Sequence, residues 1–443
     1  MTDCHQQLTF SFYSRKAVVA DFSGGQITSD AGLLVLRELD ERLGWTARAA
    51  GLLLDPRQAA KSKHAFIEMF RQRFFALIAG YCDCNDHDRL RDDQLLQSIC
   101  DGPVGEALAS QPTLSRFENA LTARQVGQLN RLLMEQFLQV HRKRRPKQLI
   151  LDIDPTDDPC HGHQQLALFN GFYDQYMYLP TLVFERSSGM LLGVRLQAGN
   201  TAGSTRTIPI LKPIIRRLRA KWPKVKILLR GDCGIGSPGL YRFCEANRLE
   251  YLIAVAANEV FKRRSNWAVT WLTQRFKQTG QDSRWMGGFV HQAGTWDRPR
   301  RILYKVQVNA EGTNRRFAVT NCKGKPVQLW PQYNDRGTAE TFIDDFKNGL
   351  AMDRLSCSRF VANAFRLVLA ALAYNLLRTF RNTLADSELE NASIQTIRAR
   401  LVKIGARVVA SVRRVWVHIS SAFPLRELLN KSLSIIQAMP RPG

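Results

Sequence analysis

Residues 149–154 read Leu-Ile-Leu-Asp-Ile-Asp, and this run constrains the chain more than any other segment. It is strongly β-prone, yet at a period of two it sets Asp152 and Asp154 on one face. Carboxylates are disfavoured in strands, so a strand that closes on one needs a reason, such as a partner charge or a bound cation. Further strand-like runs follow it. Residues 181–196 read as a hairpin turning at Ser188-Gly189, residues 226–229 run into Arg-Gly-Asp-Cys-Gly, and residues 251–256 form a third strand. Helical spacing over 207–220 and 238–247 alternates with them. This order predicts an α/β fold, a mixed sheet with helices packed on it.

Around that sheet the chain divides by texture into five segments. Residues 1–147 are expected to form a mainly helical, DNA-binding region. There Ser29-Asp30 would cap a helix carrying Leu33, Leu34, Leu36 and Leu39, and residues 65–77 would pack an aromatic face. Residues 102–122 read as a short helix, a Gln-Pro turn and a second helix from about Thr113. That is either a helical hairpin or a helix-turn-helix presenting Ser115 and Arg116 to DNA. A long helix over 122–140 ends in His-Arg-Lys-Arg-Arg-Pro-Lys-Gln, where five of eight residues are cationic and the texture changes. The sheet domain is expected over 148–258. A β-rich insertion holding Trp267, Trp271, Trp285 and Trp296 follows over 259–330, and 331–384 complete the domain with helices over 338–350 and 360–380. Residues 385–443 are a basic C-terminal region.

Charge narrows the partners. Lys plus Arg exceed Asp plus Glu by 63 − 39 = 24, and such an excess suits a polyanion, since neutralised phosphates supply much of the affinity for DNA. The longest apolar stretch, residues 367–377 between Arg366 and Arg378, falls well short of the roughly 20 residues a membrane span needs. The start, Met-Thr-Asp-Cys-His-Gln-Gln, lacks the pattern of a secretion signal, and nine scattered cysteines do not read as a disulfide framework. A cytoplasmic nucleic-acid protein without a membrane segment is the expectation.

Three acidic residues are placed for chemistry. Asp154 closes one strand, Asp232 directly follows another, and Glu340 opens a helix after the insertion. Carboxylates converging from separate elements suit Mg²⁺, and two ions about 3.5–4 Å apart are the geometry for phosphodiester displacement. Turn caps or salt bridges are the plainer alternative. Around Glu340 the spacing Tyr333, Arg336, Glu340, Lys347 would keep all four on one side of a continuous helix. Arg336 could grip phosphate bidentately, with Lys347 as a point charge. Cys160-His161-x-His163 and Cys82-x-Cys84 with His87 resemble zinc half-sites, each without an obvious second pair. The tryptophans read as core residues, or as a stack for an unpaired base.

With those residues in place, the chain resembles bacterial insertion-sequence transposases of the DDE class that carry the Tyr-Arg-Glu-Lys signature, and within them the insertion sequence 1380 group. Asp-Phe-Ser-Gly-Gly-Gln near the start, Pro-Thr-Leu-Ser-Arg-Phe-Glu-Asn, Leu-Asp-Ile-Asp-Pro-Thr-Asp-Asp, Leu-Arg-Gly-Asp-Cys-Gly-Ile and Tyr-Asn-Asp-Arg-Gly-Thr-Ala-Glu are among the segments that carry the likeness, which runs from Phe22 to Ser420. The resemblance implies an RNase H-like catalytic sheet interrupted by a β-rich insertion, with Asp154, Asp232 and Glu340 as the metal-binding catalytic triad. Tyr333, Arg336 and Lys347 would hold DNA. The spacings 232 − 154 = 78 and 340 − 232 = 108 leave room for the insertion. Many relatives have Gly or Ala where Pro155 stands, and Asp152, Asp157 and Asp158 compete for the first position as Asp344 and Asp345 do for the third. The implied cofactor is a pair of Mg²⁺ ions, replaceable by Mn²⁺. The implied partners are the terminal inverted repeats, the target duplex and a second copy of the chain. A non-catalytic transposase-derived regulator and an RNase H-like nuclease without strand transfer are the alternatives.

Overall fold

A computed structural model describes residues 7–55, 57–58, 62–143 and 145–441. The chain divides into two compact units, one of residues 1–121, 348–351 and 379–443, the other of residues 122–347 and 352–378. Arg144 of the cationic run and residues 1–6, where the absence of a secretion signal was read, lie outside the described residues.

The second unit is built on eight strands: β1 (Gln148–Pro155), β2 (Thr181–Glu185), β3 (Leu191–Arg195), β4 (Lys226–Gly231), β5 (Glu250–Val255), β6 (Ser283–His291), β7 (Arg300–Asn309) and β8 (Gly312–Thr320). Their order across the sheet is β6-β7-β8-β5-β4-β1-β2-β3. The central trio β1, β4 and β5 is parallel, and helices α2 (Thr207–Lys221) and Pro238–Ala246 precede β4 and β5. Parallel neighbours need such crossovers, and strands covered on both faces become largely apolar, as in Ile227-Leu228-Leu229 at the centre of β4. The hairpin of β2 and β3 turns at Gly189, φ +64°, where a side chain would run into the Arg378 guanidinium bonded to the Ser188 carbonyl. The edge strand β3 does not stand open. Asn130 on α1 (Ala123–Val140) exchanges hydrogen bonds with the Val194 backbone, and Asn375 does the same for Leu191.

Residues 259–330 differ from the expected β-rich block in how they begin. A 21-residue helix, α3 (Glu259–Thr279), comes first. Its buried residues are Phe261, Ser265, Ala268 and Leu272, a stripe half made of small side chains and surrounded by cations and tryptophans, which hides its period from the sequence. The three strands that follow extend the same sheet, because β8 pairs antiparallel with β5. Beyond them lie α4 (Pro326–Asn334), α5 (Gly337–Leu350) and α6 (Phe360–Arg381). By composition α6 is long and apolar enough to cross a membrane, but 78% of its most apolar window is buried inside the protein. Trp330 and Leu329 of α4 are sunk among Leu228, Leu252, Leu303 and Ala318 of the sheet, which fixes where α4 ends.

The first unit is mainly helical, with helices Leu33–Leu43, Phe66–Ala79, Gln111–Ala120 and Arg426–Gln437 and a C-terminal ribbon of Ala406–Ala410 and Val415–Ile419. Three sequence expectations are corrected there. Ser29-Asp30 does not cap the first helix; its N-cap is Gly32, and buried Asp30 instead pairs with Lys403 at 2.7 Å. The helix-turn-helix does not form, since residues 102–110 are not helical. Pro103 and Gly105 (φ +99°) break that segment, and the Gln97 side chain holds it as a loop by accepting from the Gly105 N–H at 2.7 Å. Finally, His87 is no zinc ligand. It is completely buried, in reach of the Gln72 amide and the Arg73 guanidinium at 3.1 Å each, and burial followed by the Arg73 charge drives its pKa down to about 3. The same Arg73 pairs with fully buried Glu118 at 2.7 Å. Removing one partner of a buried pair strands the other charge, so Glu118→Ala should cost about 3–5 kcal/mol, read as a lower urea midpoint for this variant.

Candidate active site

Asp154 and Asp232 meet because of strand register. Across the parallel β1–β4 pair, Asp152 stands opposite Arg230 and Ile153 opposite Gly231, so the next residues out, Asp154 and Asp232, emerge side by side at the carboxyl edge of the sheet. That edge is where open α/β sheets place ligands. Asp232 accepts from the Gly234 N–H at 2.9 Å, which tightens the turn after β4. Glu340 comes from the first turn of α5 with its side chain 68% exposed.

Electrostatics joins the three. Burial pushes the Asp154 carboxyl up to about 7; the Arg336 charge opposes this, while Asp232 and Glu340 add to it. Only 7% of Asp154 is exposed, so little water screens that repulsion. The cation among them is Arg336, whose Nη2 lies 2.7 Å from Asp154 Oδ2 and whose Nη1 lies 3.9 Å from Glu340 Oε1. Among the described residues no three His, Cys, Asp or Glu side chains are gathered closely enough to hold a metal ion. The donor set is nonetheless all carboxylate oxygen, which suits a hard divalent cation, and it already draws in a positive group.

The aspartates competing with Asp154 have other partners. Asp152 makes a bidentate pair with Arg230 at 2.7 Å on both arms, buried on both sides. Asp157 pairs with Lys347 at 3.0 Å. Asp158 is fully buried with no hydrogen-bond partner on either oxygen, and burial followed by the Asp353 charge pushes its pKa up to about 8.

The Tyr333–Lys347 segment is not the continuous helix expected from its spacing. Tyr333 lies in the last turn of α4, Arg336 lies in the turn that follows, and Glu340 and Lys347 ride on α5. Arg336 still reaches Glu340 at 3.9 Å, while Lys347 pairs with Asp157. Tyr333 packs edge-on against buried Trp330 at 5.5 Å, and burial pushes its phenol up, with Asp232 contributing. Sequence reasoning missed the clamp that sets the turn. Asp335 takes both arms of Arg186 at 2.9 and 2.7 Å and one of Arg230 at 3.1 Å, and Arg186 foremost pulls its carboxyl down to about 2. Tyr173 was missed as well; burial, then Asp157, Asp232 and Asp154, raise its phenol. A cation buried mid-strand, Arg230, was the available signal for the clamp.

Ser115 and Arg116 sit on Gln111–Ala120 of the first unit, Arg116 exposed and bonded to Thr113 Oγ1 at 3.2 Å. Cys160 is buried and donates to the Asp158 carbonyl, while His161 and His163 are exposed, so no zinc geometry forms among these residues. Trp267, Trp271 and Trp285 form a partly exposed cluster with ring centroids 5.4 and 5.8 Å apart.

One family model covers nearly the whole chain. The profile described as transposase DDE domain group 1 matches residues 10–441. No curated protein matches the chain. Among solved structures, a cryo-EM structure of the piggyBac transposase synaptic complex with hairpin DNA aligns at TM-score 0.41 and 13% identity, covering 94% of this chain and 86% of that one. The Mos1 transposase paired-end complex with left transposon end aligns at TM-score 0.18 and 16% identity over 45% of this chain and 62% of that one.

The buried Asp158 generates a pH prediction. The folded state holds a proton up to about pH 8 that the unfolded chain releases near pH 4, so stability from this group is full below about pH 4 and falls as pH rises to 8. The limiting slope is about 1.4 kcal/mol per pH unit. Asp158→Asn should flatten the decline in urea midpoint between pH 5 and 8.

Proposed function

The chain belongs to the transposase DDE domain group 1 family, and from that we propose that it is a DNA transposase of the insertion sequence 1380 group. In this reading it binds the terminal inverted repeats of its element, cuts at the element ends and joins the freed 3′ ends to target DNA. The observation that carries the reading is the coupling of Asp154, Asp232 and Glu340, brought from two parallel strands and one helix to the same sheet edge around Arg336. On this account the sheet is RNase H-like, the N-terminal region binds DNA, and the 24 excess positive charges attract the duplex. The protein would act in the bacterial cytoplasm, at the nucleoid when bound, as a homodimer engaging two ends at once.

Asp154, Asp232 and Glu340 are the residues that would hold two Mg²⁺ or Mn²⁺ ions. Bound there, these ions would supply Lewis-acid activation of the attacking oxygen and charge stabilisation at the departing one. The chain's own residues do the rest. Arg336 offsets the Asp154 charge before substrate arrives and can fork onto a phosphate, a geometry Lys does not offer. Lys347, held by Asp157, adds a point charge, and Tyr333 presents a phenol beside the carboxylates. Asp335 is a positioning residue that fixes the turn carrying Arg336.

The test is Mg²⁺-dependent cleavage of labelled DNA carrying the element's terminal repeats. The wild type should nick at the repeat boundary and join the end to a target duplex, and Glu340→Gln should bind the repeats but cleave only at background. Cleavage by Glu340→Gln would remove Glu340 from the triad. Repeat binding without cleavage by the wild type would favour a transposase-derived regulator, and cleavage without joining a plain nuclease. Asp335→Asn should keep repeat affinity within about twofold while cleavage falls by about 100-fold, as a displacement near 1 Å costs.

A further inference from the structure

The C-terminal ribbon of the first unit is not used by the site described above. Its register sets Ala406 opposite Ile419, Arg407 opposite His418, Val408 opposite Val417 and Val409 opposite Trp416. Alternation then gives the ribbon two unlike faces. Ala406 and Val408 are buried and anchor its base, whereas Arg407, Val409, Trp416 and His418 share the exposed face. From Val409 to Trp416 every residue is exposed, so the far end projects from the unit.

That end is organised. Ser411 closes the turn with its N–H and hydroxyl both donating to the Arg414 carbonyl, at 2.8 and 3.0 Å, while the Arg414 N–H donates back to Ser411 Oγ at 3.1 Å. Val412 and Arg413 are left at the tip, Val412 at 107% exposure. Behind them the Arg414 guanidinium lies 5.8 Å from the Trp416 ring, and Trp416 is parallel to the His418 ring within 7°. Electrostatics is one-sided. Between Glu390 and Glu427 the chain has seven cations and no acidic residue. Lys403 is spent on Asp30, Arg400 on Glu388, and Arg398 on backbone carbonyls. Arg407, Arg413 and Arg414 have no carboxylate within ion-pair distance among the described residues.

We propose that this ribbon is the element that reads the terminal repeats, entering the major groove of duplex DNA with Arg413 and Arg414 aimed at base edges. The proposal rests on the transposase reading and adds where sequence recognition resides. A third strand, Ile27–Thr28, pairs with Ala406 and Arg407 at the base; beyond it the sheet is two-stranded, and a ribbon with backbones about 4.8 Å apart fits a groove about 12 Å wide. Arginine forks onto guanine O6 and N7 there, and an exposed valine meets a thymine methyl. The preordered turn and the Trp416 stack hold the guanidinium of Arg414 before DNA arrives.

The test uses the full chain and fluorescence anisotropy on the terminal-repeat duplex and on a scrambled duplex of equal length. Arg413→Lys with Arg414→Lys keeps the charge and removes the fork; Arg413→Ala with Arg414→Ala removes both. The lysine pair should lose at least about tenfold on the repeat while binding the scrambled duplex nearly as the wild type does. The alanine pair should lose more, with a shallower salt dependence by about two phosphate contacts. In the wild-type complex, guanine N7 in the repeat should be protected from dimethyl sulfate, and that protection should vanish in both variants. Unchanged melting midpoints confirm that the exposed tip alone was altered. A wild type that prefers the repeat, with variants that keep both affinity and preference, overturns the proposal and leaves the transposase reading standing. Equal loss on both duplexes overturns base reading by this ribbon, and so does unchanged DNA binding with a lost self-association. A wild type without any preference for the repeat sinks the transposase reading and this inference together.

Discussion

The buried pair of Arg230 and Asp152 is the interaction on which the rest of the candidate site depends. Two opposite charges, each at most 1% exposed, sit directly beneath the carboxylates at the sheet edge. Desolvating both costs several kcal/mol, and only bidentate geometry with every donor used offsets it. Arg230 uses its remaining arm on the Gln332 carbonyl and on Asp335, so one guanidinium ties β1 and β4 to the turn between α4 and α5. Strand register and turn position are thereby set by the same residue.

What that arrangement supports is a cluster of like charges that would otherwise push itself apart. Asp154 is buried, close to Asp232 and Glu340 in electrostatic terms, and balanced by Arg336. The site is thus a cation-demanding carboxylate cluster whose demand is met internally by a residue able to grip phosphate. Asp335 is drawn well below the ordinary carboxylate range by Arg186 and Arg230, and its pairs with both hold that turn in place. The same logic separates Asp154 from its neighbours: Asp152 and Asp157 are each matched by one cation, and Asp158 escapes charge by keeping its proton.

Much of the sheet was legible because its strands are apolar, short and bounded by turns. The β2–β3 hairpin turns through Ser188-Gly189, and β1, β4 and β5 lie within a few residues of their expected places. Less legible were elements whose signal is carried by small or polar residues. The buried stripe of α3 holds Ser265 and Ala268, and the loop at 102–110 carries enough apolar residues to imitate a helix until Pro103 and Gly105 are given their weight. Asp30 had the residue type of a cap but became the partner of Lys403, nearly the whole chain away.

The sequence by itself determined which residues are the candidates for the chemistry. Strand ends bearing Asp154 and Asp232, the spacing of Tyr333, Arg336, Glu340 and Lys347, and the large positive charge are local or compositional facts, readable one segment at a time. Only the tertiary structure decided how they meet. The Arg336 contact to Asp154 spans 182 residues and that of Lys347 to Asp157 spans 190. At the break between α4 and α5, Asp335 is held by Arg186 and Arg230, and Gly337 opens the next helix. Partners that far apart leave no periodic trace, because their pairing is selected by burial and register in the finished sheet, where an unmatched charge is costly and a matched one is not.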